Sequence, residues 1–249
     1  MSMQERANMH DGHRERVREK YRQSGLDSFS GHEVLELLLF YANRRGDTNP
    51  IAHGLIKRFG SLSAVFEASY DDLIKVDGVG DAAATLITLV PQLFRKYSQD
   101  KADKTEFITD PQEAETYLKP RFFGLNNERV ALVCLDAQGR INNFVFVSEG
   151  SLKLAQIDMR KTAQLALQNN AESVIVVHNH PGGIATPSRS DIEATKLLVN
   201  VFNLINIRVT DHFIISDDDC FSMASNEKLA PIFMVNSGSS VHESRLKMS

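Results

Sequence analysis

The first part of the chain has apolar residues spaced three and four positions apart. The clearest examples are His32–Phe40 and Pro50–Phe59, where helical turns would bring the apolar side chains to one face. Ser61–Glu67, Tyr70–Val76 and Asp81–Tyr97 continue the pattern, and glycine or proline separates several of these segments. The pattern predicts five or six short helices and no strands in this part of the chain.

A second pattern follows, in which strand-like apolar runs alternate with helical spacing. Ala137–Arg140 is a good hairpin connection between the first two runs. Ser173–His178 is a continuous β-branched run, which indicates a central strand covered on both faces. In chain order, the pattern predicts two strands, a helix, a strand, a helix and a strand: Glu128–Asp136, Ile141–Ser148, Ile157–Asn170, Ser173–His178, Ser190–Asn203 and Ile207–Ile215. This order predicts a mixed sheet with helices packed on it.

A charge-dense stretch, Ser98–Thr105, separates the two patterns. It has little apolar surface to bury, so we interpret it as a linker. The predicted fold class is α+β, with an all-α N-terminal domain followed by a mixed β-sheet flanked by helices. The predicted boundaries are residues 1–98 for the helical domain, 99–107 for the linker and 108–235 for the sheet domain. Residues 236–249 are polar and are predicted to form a disordered tail.

Composition and charge narrow the classes of protein. The chain has 249 residues, a formal net charge of −4 and a pI near 6.1, which argues against a nucleic-acid binder that uses its whole surface. Cys134 and Cys220 lie in apolar, strand-like settings and predict buried thiols rather than a disulfide framework. No apolar run approaches the ~20 residues that a membrane helix needs, and the N-terminus lacks the hydrophobic core of a secretory signal. We therefore expect a cytoplasmic protein with no membrane partner.

The most informative segment runs from His178 to Asp191. In an extended strand, residues two apart point to the same side, so His178 and His180 present two imidazoles to one point. Pro181 and the two glycines after it let the chain turn back. Asp191, in the first turn of the next helix, can return a carboxylate to the same place. Two nitrogens and one oxygen leave a fourth tetrahedral position open, which is the pattern of a catalytic rather than a structural zinc site.

The same residues also have plainer interpretations. A His-x-His at the end of a strand is more often a pair of hydrogen-bonding histidines than a metal site. Ser188 and Asp191 also fit a capping box, since a serine and an acid three residues later satisfy free N–H groups of a helix. The metal site is favoured because histidines, glycine break, serine and aspartate all fall in one short segment after a buried strand.

The spacing resembles a known motif. His178-x-His180, seven residues, Ser188, two residues and Asp191 resembles the JAMM motif of the JAB/MPN metalloprotease superfamily. The longer string His-Asn-His-Pro-Gly-Gly to Pro-Ser-Arg-Ser-Asp, followed by Thr195 and by Asp-His-Phe-Ile, resembles the bacterial RadC-like branch. That branch usually has Pro-Ser-Gly where this chain has Pro-Gly-Gly, which changes the connecting turn and not a ligand. The resemblance covers most of residues 10–225 and implies a JAB/MPN-type sheet domain.

The resemblance also implies how such a site works. It implies one Zn²⁺ per chain, held by the two histidines and Asp191, and a glutamate on an early strand that takes a proton from the metal-bound water. Glu128 matches that glutamate and Glu149 is the alternative, while a solvated strand start is the plain interpretation of Glu128. Ser188 would donate a hydrogen bond to the developing oxyanion, or serve only as a helix cap. The implied activity is hydrolysis of an amide or isopeptide bond in a protein or peptide.

The N-terminal helices suggest a second kind of partner. Leu73–Ala84 resembles a helix-hairpin-helix, whose glycine turn exposes backbone N–H groups that can contact a DNA phosphate. Asp77 and Asp81 flank this turn, so a purely structural helix pair is an equally good interpretation. His10 and His13, next to a basic run, are interpreted as surface residues of a solvated helix. The alternative function is a DNA-associated repair accessory protein whose metal site is structural or acts on a non-peptide substrate.

Overall fold

The computed structural model describes residues 3–149, 158–217 and 219–234 of the chain. The predicted tail at 236–249 lies outside these ranges, and the side chains of His10 and Glu149 also lie outside the described parts. The chain forms two compact units, Met1–Lys96 and Tyr97–Ser249. Within the described ranges, no helix is both long enough and apolar enough to cross a membrane.

The first unit is built from helices, as the apolar spacing predicts. Residues 3–102 form six helices: α1 (Met3–Ser24), α2 (Gly31–Ala42), α3 (Asn49–Phe59), α4 (Leu62–Glu67), α5 (Tyr70–Leu73) and α6 (Asp81–Ala102). The apolar faces of α2 to α6 meet in one core, whose fully buried members include Leu35, Leu39, Leu55, Leu73 and Ile87. Burying a side chain of this size contributes roughly 1.5–3 kcal/mol, so this core is the main source of stability in the unit.

The glycine turn between α5 and α6 has a packing reason inside this unit. Gly78 has φ +81°, a conformation that residues with a Cβ rarely adopt. A Cβ at this position would also lie 2.8 Å from Cγ1 of Ile51. Across the turn, the Tyr70 hydroxyl donates a hydrogen bond to Oδ1 of Asp81 at 2.7 Å. The backbone conformation of Gly78 and its closeness to Ile51 together account for the glycine.

The segment interpreted as a linker, Ser98–Thr105, is helical up to Ala102 because α6 continues through its first residues. Extending an existing helix adds a backbone hydrogen bond for each residue and needs no apolar side chain. The polarity of this segment therefore shows that it buries little, but not that it lacks secondary structure.

The second unit contains the predicted mixed sheet. Its elements are α7 (Pro111–Phe122), β1 (Arg129–Leu135), β2 (Ile141–Glu149), α8 (Met159–Gln168), β3 (Ser173–Asn179), α9 (Arg189–Leu204), β4 (Arg208–Ile215), β5 (Cys220–Ser222) and a 3₁₀ turn (Ala230–Met234). The strand order is β2-β1-β3-β4-β5, in which β3 and β4 are parallel and the other neighbours are antiparallel. The α+β fold class is confirmed, whereas α7, β5 and the 3₁₀ turn are not predicted by the sequence pattern. Both cysteines are free, and Cys220 is only partly buried.

Alternate residues of β1 and β3 pack on opposite faces of the sheet. On one face, Val130, Val174 and Val176 pack with Leu198 and other residues of α9. On the other face, the odd-numbered residues of the same strands pack with α7. Even-numbered positions of β1 and β3 therefore lie on the α9 face, and this parity decides which side chains can meet at the end of the sheet.

Candidate metal centre

The candidate centre lies where β3 ends on the α9 face. His178 follows Val174 and Val176 in the even-numbered series, so its imidazole lies on this face and is only 2% exposed. His180, two residues later, has its Nε2 2.8 Å from Nε2 of His178. The strand therefore places two imidazole nitrogens together, as the His-x-His spacing predicts.

The third side chain comes from the start of α9. Ser188 is the N-cap of this helix, and its Oγ accepts a hydrogen bond from the Asp191 N–H at 3.2 Å. In return, Oδ2 of Asp191 accepts from the Ser188 N–H at 2.7 Å, which completes a capping box. The same carboxylate lies 3.5 Å from Nε2 of His178 through Oδ1 and 3.5 Å from Nε2 of His180 through Oδ2.

These three side chains form a group that could hold a metal ion. One ligand atom from each of His178, His180 and Asp191 lies within 4.8 Å of the others, and no other such group of histidine, cysteine or acidic residues occurs in the described part of the chain. The Nδ1 of His180 lies 3.0 Å from the carbonyl oxygen of Ile184. Since a carbonyl has no hydrogen, this Nδ1 must be the donor, and Nε2 of the neutral ring has a free lone pair. That lone pair points to the place where the carboxylate lies.

The electrostatics of the group favour a cation. Burial lowers the pKa of His178, which favours a neutral ring, whereas the Asp191 carboxylate raises the pKa of His180. For Asp191, burial raises the pKa, but the imidazoles of His178 and His180 and the Ser188 N–H outweigh burial and lower it, so the carboxylate is ionised. Two imidazoles and one ionised carboxylate are a donor set that fits Zn²⁺.

An open cleft of about 370 Å³ lies beside the three side chains. Glu128 and Ser188 line it together with His178, His180 and Asp191, so all five predicted site residues meet there. Glu128 immediately precedes β1, and the antiparallel register of β1 and β3 pairs Val130 with His178. Continued by two residues, this register places Glu128 opposite His180, on the α9 face. The positions of these residues are thus described, while their chemical roles stay predictions.

The sequence pattern does not reveal the part played by Asn179. Its side chain lies on the opposite face from its two histidine neighbours, where Oδ1 accepts from the Arg129 N–H at 2.7 Å. Its Nδ2 donates to the carbonyl oxygen of Asn127 at 3.2 Å. Asn179 therefore fixes the backbone on both sides of Glu128. One feature of the sequence indicates this role: Asn179 alternates with the two histidines at the end of a buried strand, and a buried polar side chain needs a hydrogen-bond partner.

Two further buried side chains, Thr195 and His212, belong to the longer string that resembles the RadC-like branch. His212, on β4, is 0% exposed and its Nε2 lies 2.8 Å from Nδ1 of His178. Its Nδ1 lies 2.6 Å from Oγ1 of Thr195 on α9. Burial lowers the pKa of His212 well below its ordinary value, so this ring is neutral. The two histidines meet because β3 and β4 pair in parallel. The sequence pattern predicts both strands but not their pairing.

Comparison with known families agrees with the fold. Residues 108–229 match the family model described as the RadC-like JAB domain, which includes the whole group around His178. The second unit is thus a JAB-type domain with a candidate metal centre at the end of its central strand. Residues 11–85 match a separate model, described as UPF0758 N-terminal, which covers most of the helical unit.

Relatives that span nearly the whole chain complete the assignment. A UPF0758 protein of Acinetobacter baumannii is 35% identical over 218 residues, which cover 87% of this chain and 93% of the relative. A UPF0758 protein of Fusobacterium nucleatum is 33% identical over 219 residues, which cover 85% of this chain and 94% of the relative. The chain belongs to the UPF0758 (RadC) family, and the resemblance drawn from its motif is confirmed.

Proposed function

We propose that this protein is a zinc-dependent metallohydrolase that cleaves an amide or isopeptide bond in a protein or peptide. The observation that carries the proposal is the convergence of His178, His180 and Asp191 beside an open cleft that Glu128 also lines. Three protein donors leave room for one more, as catalytic zinc sites require. A carboxylate in the same cleft, but outside the donor set, is suited to moving protons.

Each residue has a separate part in the proposed reaction. A bound Zn²⁺ would supply a Lewis acid and lower the pKa of water in the cleft from about 15.7 to about 7. Glu128 would accept the proton of the attacking water and deliver it to the leaving amine, so that the amine departs uncharged. Ile184 and Thr186, which also line the cleft, would contact the substrate chain.

The choice of zinc rests on the donor set. Mg²⁺ and Ca²⁺ prefer oxygen ligands, so two imidazoles argue against them. Two histidines and one carboxylate also bind Fe²⁺ in some oxygenases, and the test must therefore measure both metals. Zinc is favoured because a glutamate beside the donors serves hydrolysis, which needs a proton acceptor and no electron transfer.

Metal removal tests the proposal directly. We expect the purified chain to contain about one zinc, and little iron, by elemental mass spectrometry. Incubated with a library of proteome-derived peptides, it should produce new peptide ends that mass spectrometry detects. A chelator should remove both the zinc and the cleavage, and added Zn²⁺ should restore both. Cleavage that persists without the metal, or a chain that carries iron instead of zinc, would overturn the proposal.

Ser188 provides a test that separates capping from catalysis. Ser188→Ala removes the Oγ that accepts from the Asp191 N–H, and loss of such a cap costs about 1 kcal/mol of unfolding free energy. If Ser188 also donates to the oxyanion, peptide cleavage should fall by ~10²–10³-fold at unchanged zinc content. Urea unfolding measures the first effect and peptide cleavage the second.

Ser188→Thr is the matched control, since threonine keeps the hydroxyl and remains a good cap. This variant should stay close to the wild-type protein in both measurements. A Ser188→Ala protein that loses stability but cleaves peptides at the wild-type rate would limit Ser188 to its capping role.

A further inference from the structure

A buried row of hydrogen bonds lies behind His178, on the side away from the cleft. Nδ1 of His178 is 2.8 Å from Nε2 of His212, and Nδ1 of His212 is 2.6 Å from Oγ1 of Thr195. Oγ1 of Thr195 is in turn 2.6 Å from the backbone carbonyl oxygen of Asp191. Thr195 and His212 are both 0% exposed. The row therefore starts at one candidate metal ligand and ends at the backbone of another, with both intermediate side chains shielded from water.

The chemistry of the row fixes the position of every hydrogen in it. The carbonyl oxygen of Asp191 can only accept, so the Thr195 hydroxyl must donate to it. Oγ1 of Thr195 is then an acceptor toward His212, whose Nδ1 must carry the hydrogen. A second hydrogen on this ring would make it a buried cation, although it is 0% exposed and its two hydrogen-bond partners, Thr195 and His178, carry no negative charge. Its Nε2 therefore keeps a lone pair and accepts from Nδ1 of His178. His178 is left with the lone pair on Nε2, directed at His180 and the cleft.

The hydrogen bonds cannot run in the opposite direction, because the contact between Thr195 and Asp191 would then have no donor. If the Thr195 hydroxyl donated to His212, two oxygens that lie 2.6 Å apart, Oγ1 of Thr195 and the carbonyl oxygen of Asp191, would have no hydrogen between them. Buried acceptors at that separation repel each other and leave the carbonyl without this donor. The observed distances are therefore consistent with one direction only.

We propose that Thr195 and His212 are positioning residues that hold His178 in the tautomer with hydrogen on Nδ1, which leaves Nε2 free to bind the metal. This inference rests on the metal-binding part of the proposed function. The inference also bears on the short distance between the imidazoles of His178 and His180. The Nε2 atoms of His178 and His180 lie only 2.8 Å apart, and with a lone pair on each of them the two rings can bind one cation together. Partners behind a metal-binding histidine commonly fix its tautomer in this way.

The metal-free wild-type protein gives the first test. Nitrogen-15 NMR of histidine side chains, at about pH 9 where ordinary histidines are neutral, distinguishes a protonated ring nitrogen from a bare one. We expect hydrogen on Nδ1 and a bare Nε2 for His178, and the same arrangement for His212. Hydrogen on Nε2 of His178 would overturn the inference, whatever any variant does.

Thr195→Val gives the second test, because valine has the shape of threonine and carries a methyl group in place of the hydroxyl. Without that acceptor, His212 has no reason to keep hydrogen on Nδ1, and the tautomer of His178 is no longer fixed. We expect zinc affinity, measured by competition with a chromogenic chelator, to fall by ~10–100-fold. Thr195→Ser restores the hydroxyl and should restore both the affinity and the NMR pattern. Wild-type affinity in a folded Thr195→Val protein would overturn the inference.

The two measurements also separate this inference from the proposed function. The NMR pattern is read without metal and without substrate, so it does not depend on hydrolysis. A protein with the expected tautomer and zinc affinity that cleaves no peptide supports the positioning role and contradicts the hydrolase. A protein that cleaves peptides but has hydrogen on Nε2 of His178 overturns only the positioning role.

Discussion

Replacing His178 and His180 together with alanine is expected to remove nearly all zinc from the purified protein. The two imidazoles supply two of the three candidate donor atoms, and the carboxylate that remains is already hydrogen-bonded to the Ser188 N–H. A single carboxylate is a site better suited to Mg²⁺ or Ca²⁺ than to zinc. The loss of affinity should therefore exceed the ~10–100-fold typical of changing a residue behind a ligand. Elemental mass spectrometry of equal amounts of the wild-type protein and the double variant measures how much zinc each one retains.

His32 and His53 offer a matched control in the helical unit. Their rings are stacked with centroids 4.1 Å apart, but they belong to no group that could hold a metal. The double alanine variant of this pair should keep the wild-type zinc content. Alanine at His178 also leaves the buried Nε2 of His212 without its hydrogen-bond partner, which costs about 1–3 kcal/mol of unfolding free energy, so both variants must be shown to be folded. Wild-type zinc in a folded His178/His180 variant would contradict the metal centre.

The sequence predicts this site well because its main parts are local. The imidazoles of His178 and His180 share a side through strand periodicity alone, and Asp191 is fixed by a capping box that can be read directly from the sequence. Glu128 is different, since its approach depends on the register between β1 and β3. Only the family resemblance connected it with the histidines, because spacing along the chain has no information about that register.

The elements that the sequence pattern misses have physical reasons of their own. In α7, Ala114, Tyr117 and Leu118 have helical spacing and are buried, and Asp110 caps the helix. The preceding polar stretch and Pro120 within the segment obscured that pattern. The hydrogen-bond partners of His178 were missed because β4 is parallel to β3 and approaches it only after the crossover through α9. Contacts of this kind depend on how separate elements pack against each other, and a local sequence pattern contains no information about that packing.

Glu128→Gln is expected to lower peptide cleavage by ~10²–10⁴-fold and to leave the zinc content unchanged. Glutamine has the same size and can still accept a hydrogen bond, but it cannot take a proton from water at neutral pH. Zinc should stay because the candidate donors are His178, His180 and Asp191, and Glu128 lies beside them in the cleft. Cleavage of the peptide library and elemental mass spectrometry of the same sample give the two readouts.

Glu193→Gln is the matched control for the loss of one negative charge. Glu193 is exposed on α9, where it pairs with Arg189 at 3.1 Å, so its variant should cleave peptides and bind zinc as the wild-type protein does. Two results would contradict the assignment of Glu128 in different ways. Wild-type cleavage by Glu128→Gln would mean that another group accepts the proton. Loss of zinc together with cleavage would mean that Glu128 binds the metal, because a residue that only moves protons can be neutralised without releasing the ion.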